Sequence, residues 1–96
     1  MRRVVITGFG GVTALGNDWE SIKAGLLAHQ NCVVRMPQWD EIDGLSAKLA
    51  APVQNFTLPE HYTRKRVRSM GRVSLLSTRA TELALEDAGL LENPVI

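Results

Sequence analysis

The stretch Ile6–Asn17, "ITGFGGVTALGN", decides how the rest of the chain is read. It sets four glycines in twelve positions between an apolar run and a helix-like pattern. Such a turn either cradles a phosphate or lets two pieces of backbone approach closely. A dinucleotide fingerprint needs G-x-G-x-x-G directly after a strand. Gly8 and Gly10 fit it, but Thr13 stands at the third position. The variant T-G-x-x-x-G-x-G fails too, because Val12 and Ala14 stand where glycines belong. A phosphate at a helix start also needs free N–H groups and a positive dipole end. Asp18 and Glu20 sit in that turn, and their charges repel a pyrophosphate. The glycines therefore read as a device for close packing or for positive φ in a tight turn. No cofactor is expected there.

Working outward, residues 3–8, "RVVITG", form an apolar run that stops at glycine. This suits a strand buried on both faces. Asn17 is positioned to cap the following helix, with Glu20 at the reciprocal capping-box position. Trp19, Ile22, Leu26 and Leu27 give that helix one apolar face, to about His29. "CVVRM", 32–36, and "AKLAAPV", 47–53, are candidate short strands ended by Pro37 and Pro52. In "TLPE", Thr57 is the expected cap of a short turn. A second helix is predicted from Ser69 to about Ala88, with Val73, Leu76, Ala80, Leu83 and Ala84 on one side and Gly89 ending it. Ser74, Ser77, Thr78 and Thr81 add an uncharged polar stripe that suits close packing against another element. The fold class is α/β.

Two features mark the chain as an incomplete fold. A strand buried on both faces needs paired neighbours and flanking helices, and only two weak strands are available. The closing "NPVI" also reads as a connection, Pro94, followed by the start of another strand at Val95–Ile96. A frayed end of a small complete α+β domain is the alternative.

Composition is that of a soluble globular protein: 96 residues, 45% hydrophobic, 22% charged, net charge +1. One cysteine, Cys32, excludes an intrachain disulfide and fits a reducing compartment. No apolar run approaches the roughly 18–20 residues of a membrane span. The basic start and the small-x-small Ala14-Leu15-Gly16 are signal-peptide features. Thr7, Gly8, Gly10, Gly11 and Thr13 interrupt the apolar segment that such a signal needs. A cytoplasmic location is expected.

Charge is unevenly distributed. From His61 to Thr81 there are six Lys or Arg residues and no Asp or Glu. Four of them, Arg64, Lys65, Arg66 and Arg68, fall within five positions. A solvated polar face is one reading. Nucleic-acid binding is another, weakened by the single nearby aromatic, Tyr62, and by the near-neutral total charge. His29, His61 and Cys32 lack zinc-ligand spacing, so no metal is expected.

The blocks "RRVVITGFGGVTALGN", "AAPVQNF", "YTRKRVRSMGR" and "ALEDAGL", in this order, resemble the N-terminus of the β-ketoacyl-acyl-carrier-protein synthases. The resemblance is closest to the type II elongating enzymes and to ketosynthase and chain-length-factor partners. It implies part of a thiolase-like α-β-α-β-α fold, here the first core strand plus flanking helices. It also implies decarboxylative condensation of malonyl-carrier with an acyl chain by the whole enzyme, as a homodimer or a ketosynthase/chain-length-factor heterodimer. The family's nucleophilic cysteine and two histidines lie beyond this segment, so no catalytic residue is expected here, and Cys32 is not the nucleophile.

The resemblance gives the basic segment a third reading, a docking surface for acidic acyl carrier protein. Arg64, Lys65 and Arg68 match basic positions of the family pattern. Arg66 adds a cation where an acid or amide is frequent, and Ser69 lacks the cation that can follow Arg68. Two rival functions stay open: a non-catalytic chain-length factor, or a small self-contained domain binding an acidic protein.

Overall fold

The computed structural model describes residues 1–92. The strand expected from Val95–Ile96 lies outside these residues. Element order is α1 (Trp19–Leu27), β1 (Val34–Arg35), a 3-10 turn (Pro37–Glu41), β2 (Leu49–Ala50), α2 (Arg64–Val67) and α3 (Arg72–Asp87).

α1 begins one residue later than Asn17 implies. Asp18 is the N-cap: its carboxylate accepts from the Ser21 amide at 2.8 Å and from the Ser21 hydroxyl at 3.1 Å. Glu20 lies in the first turn, favourable for the dipole but outside the cap itself. The helix closes at Ala28, and His29 takes the left-handed conformation (φ 56°), with the Gln30 amide donating to the Gly25 carbonyl at 2.9 Å. This is the Schellman arrangement with histidine where glycine is usual. The two candidate strands pair antiparallel, Val34 opposite Ala50 and Arg35 opposite Leu49, within the expected 32–36 and 47–53 segments.

Thr63 caps the short basic helix, accepting from the Arg66 amide at 3.4 Å. α3 starts at Arg72 rather than Ser69, because Gly71 is extended and the preceding residues turn back through Met70 N–H to the Val67 carbonyl. Its end is as Gly89 predicts: φ is +72°, and the Leu90 amide reaches the Leu85 carbonyl at 2.8 Å.

The glycine-rich turn lies directly against α3. A Cβ on Gly8 would sit 2.6 Å from the Ala88 nitrogen and 2.7 Å from the Ala84 carbonyl. One on Gly10 would sit 2.6 Å from the Ala80 carbonyl and 2.7 Å from the Ala84 nitrogen. Ala80, Ala84 and Ala88, four residues apart, form a small-residue strip on which bare backbone can rest. Phe9, between the two glycines, donates its amide to Asp87 Oδ2 at 3.1 Å and packs edge-on against Trp19 at 5.4 Å. Thr13 closes the turn, its hydroxyl accepting from the Leu15 and Gly16 amides.

The strand expected over residues 3–8 is the main departure. Among the described residues it forms no ladder, and Val4 and Ile6 are 94% and 88% exposed. Apolar patterning reports a burial that needs neighbouring strands and layers, and residues 1–92 supply none beside it. The same holds throughout: among the described residues no hydrophobic side chain is buried. The accessible surface is 8024 Å², against about 5,500 Å² for a compact protein of this mass. The radius of gyration is 17.0 Å, against about 12.5 Å.

Candidate functional site

The glycine turn makes a poor anion site. Asp18 fills the start of α1 with its own carboxylate. The depression beside the turn, of about 530 Å³, is walled by Phe9, Trp19, Ile22 and Leu83 and carries the carboxylates of Asp18 and Asp87. Among the described residues no group of three or more potential ligands could hold a metal ion. Cys32 is a half-buried free thiol in the connection between α1 and β1.

The basic residues gather on one short element. Arg64, Lys65 and Arg66 belong to α2, and Arg68 caps its end, with its amide on the Arg64 carbonyl at 3.0 Å. All four side chains are exposed. Helical spacing sets Arg64, Lys65 and Arg68 on a common face, with Arg66 turned roughly to the opposite side. Arg66 there lines a groove of about 440 Å³ between the α2 region and α3, floored by Val67, Met70, Leu85 and Leu91. Ser77, Thr78 and Thr81 also line this groove, so most of the polar stripe of α3 faces it.

Among the described residues the ion pairs are Arg35–Asp40, Lys48–Asp40, His61–Glu82 and Arg79–Glu82. None involves the four cations of α2. The other two members of the basic run are engaged internally: Arg72 donates to the Val53 carbonyl at 2.8 Å, and Arg79 pairs with Glu82. Like charges at Arg64 and Arg68, four apart, disfavour their own helix by a few tenths of a kcal/mol. In a helix of a single turn the same cations lie at both ends, so the dipole adds no clear term. No carboxylate among the described residues pairs with these cations.

Sequence reading missed Glu82. It is the first acid after the cationic run, and it collects three donors. His61 Nε2 lies 2.6 Å from Oε2, the Tyr62 hydroxyl donates to Oε1 at 3.3 Å, and Arg79 pairs with Oε1. Partial burial pushes the Glu82 carboxyl up, but hydrogen bonds and charge from His61 and Arg79 outweigh this and hold it below the ordinary glutamate range. Burial pushes the Tyr62 phenol up, and the neighbouring Glu82 charge adds to the rise. The local signal was the Arg79–Glu82 spacing of three. The link to His61 and Tyr62 spans about twenty residues and has no local signature.

A sequence model of the β-ketoacyl synthase N-terminal domain matches residues 1–95. The chain belongs to the β-ketoacyl synthase family. It is 35% identical over 95 residues to the 3-oxoacyl-[acyl-carrier-protein] synthase 1 of Haemophilus influenzae, covering 99% of this chain and 23% of that protein. It is 39% identical over 94 residues to nodulation protein E of Rhizobium sp. strain N33, covering 93% and 22%. A crystal structure of a β-ketoacyl synthase from Burkholderia phymatum STM815, 54% identical, superposes with a TM-score of 0.90 over 100% of this chain and 24% of that one. This chain thus spans about a quarter of the length of the synthases it matches. Its glycine turn packs the N-terminal run against α3. Among the described residues no helix is long and apolar enough to cross a membrane.

Proposed function

We propose that this chain is the N-terminal portion of a 3-oxoacyl-[acyl-carrier-protein] synthase. The whole protein joins an acyl group, held as a thioester on a cysteine, to the carbanion left when malonyl-carrier loses carbon dioxide. The observation that carries this reading is the likeness of all of this chain to about a quarter of a β-ketoacyl synthase, 54% identical at a TM-score of 0.90. Relatives named as synthases favour it over a chain-length factor. The nucleophile and its histidine partners belong to sequence outside these 96 residues.

In this reading residues 3–8 are the first core strand of a thiolase-like α-β-α-β-α fold. Further strands of a longer chain would cover Val4, Val5 and Ile6, which are exposed here. The excess accessible surface supports the same view and speaks against a self-contained domain.

The role assigned to α2 is docking of acyl carrier protein. Arg64, Lys65 and Arg68 present one cationic face, and Arg66 contributes from the flank. Carrier proteins are strongly acidic, so unpaired exposed cations would steer association and orient the partner. The triple reversal Arg64→Glu, Lys65→Glu, Arg68→Glu in the full-length protein tests this with a purified acyl carrier protein. Affinity should fall about tenfold or more at low ionic strength, and the difference should shrink as salt screens the charges. Equal affinity at low salt removes the docking role.

A further inference from the structure

The basic helix does not rest on α3. An open groove separates them, and among the described residues the cations of α2 have no carboxylate to hold them in place. What joins the two elements is a polar clamp just upstream of the helix cap. The turn Pro59–Tyr62, closed by the Tyr62 amide on the Pro59 carbonyl at 2.9 Å, delivers His61 and Tyr62 together to Glu82 in the middle of α3. Their rings meet edge-on at 4.9 Å, so each limits the other's rotation. Thr63, the next residue, caps α2. Glu82 is only 17% exposed and is itself fixed from its own helix by Arg79. As an ionised carboxylate it accepts from all three neighbours, which makes His61 Nε2 the donor in that contact.

The geometry points to His61 and Glu82 as positioning residues for carrier docking: the clamp sets the direction in which α2 presents Arg64, Lys65 and Arg68. This rests on the docking role proposed above. A four-residue helix carrying like charges has little stability of its own. Its orientation therefore depends on its ends, and the clamp fixes the entering one. Glu82 has a second effect. It absorbs the charge of Arg79, so the middle of α3 adds no unpaired cation to the field of α2.

The test uses the full-length protein with malonyl- and acyl-loaded carrier protein as substrates. His61→Ala should raise KM for the carrier about fivefold, the scale of losing one partly exposed charge-assisted contact, and Glu82→Ala at least as much, since it removes all three contacts. kcat should hold, because the reacting groups lie elsewhere. His61→Gln should restore the wild-type KM, since its carboxamide nitrogen can donate to Glu82 in place of Nε2. A merely structural contribution would lower thermal stability and leave KM for the carrier unchanged in the protein that remains folded. Should Glu82→Ala fold poorly, the His61→Ala and His61→Gln pair, at an exposed position, decides alone. The Arg64, Lys65 and Arg68 charge reversal is run alongside. If the reversal raises KM and the clamp variants do not, the docking face stands and the clamp inference is overturned. If the reversal also leaves KM unchanged, the docking reading fails, and the positioning role falls with it.

Discussion

Replacing Gly10 by alanine probes the packing on which the N-terminal region is built. The added methyl carbon would lie 2.6 Å from the Ala80 carbonyl oxygen, 2.7 Å from the Ala84 nitrogen and 2.8 Å from Leu83 Cβ. Two of these are helix backbone atoms and the third is fixed to one, so no rotamer change relieves the clash. Ordinary contact begins near 3.4 Å, and the turn must therefore retreat from α3 by most of an ångström. That retreat also stretches the Phe9 amide bond to Asp87 and the Phe9–Trp19 contact, at 3.1 and 5.4 Å. Overpacking of this kind costs about 1–3 kcal/mol, and the rigidity of the neighbours puts Gly10→Ala in the upper half of that range. Gly11→Ala is the internal control, since its methyl would find only side-chain atoms at 4.0 Å. Denaturant unfolding of the full-length protein should show a lower midpoint for Gly10→Ala and little change for Gly11→Ala. Equal midpoints would refute the argument, because a glycine kept for binding a phosphate would leave unliganded stability untouched.

Further outcomes follow from the caps and the clamp. Asp18→Ala should destabilise by about 1 kcal/mol through loss of the α1 cap, whereas Asn17→Ala leaves the Ser21 amide satisfied; comparative unfolding separates them. The Glu82 carboxyl is held below its ordinary value, so its stabilisation is complete above pH 4.5 and disappears as pH falls through the lower folded value. Glu82→Gln should flatten that part of the acid-stability profile and cost about 1 kcal/mol near neutrality. The Tyr62 phenol is raised above 10.0, so its contribution is complete below that pH and is lost on further alkalinisation. An ultraviolet titration differenced against Tyr62→Phe should show that Glu82→Gln moves the phenol downward.

What could be read from sequence divides along the range of the forces involved. Gly89 and the period of Val73, Leu76, Ala80 and Leu83 are local, and α3 ends where they indicate. β1 and β2 fall inside the two segments that Pro37 and Pro52 bound, although their antiparallel pairing is seen only in the structure. Gly8 and Gly10 could be assigned to packing by excluding a phosphate, although their contact atoms on Ala84 and Ala88 could not be foreseen. Asn17 and Asp18 are equally good caps on paper, and only backbone geometry shows which carboxyl or amide oxygen reaches the Ser21 amide. Residues 3–8 carry the pattern of a buried strand but have no partner in residues 1–92, since pairing is a property of the whole sheet. The cationic face of α2 was evident from composition. Its clamp was not, because His61 and Glu82 meet only through the turn at Pro59–Tyr62.

The most direct measurement of the central claim is a condensation assay on the full-length protein. It would be supplied with malonyl- and acyl-loaded carrier protein over a range of acyl lengths, with products followed by mass spectrometry. The synthase assignment predicts release of carbon dioxide and a 3-oxoacyl-carrier two carbons longer than the acyl donor. A folded full-length protein that forms no such product with any donor, while still binding the carrier, would contradict it and leave α2 on a non-catalytic partner subunit.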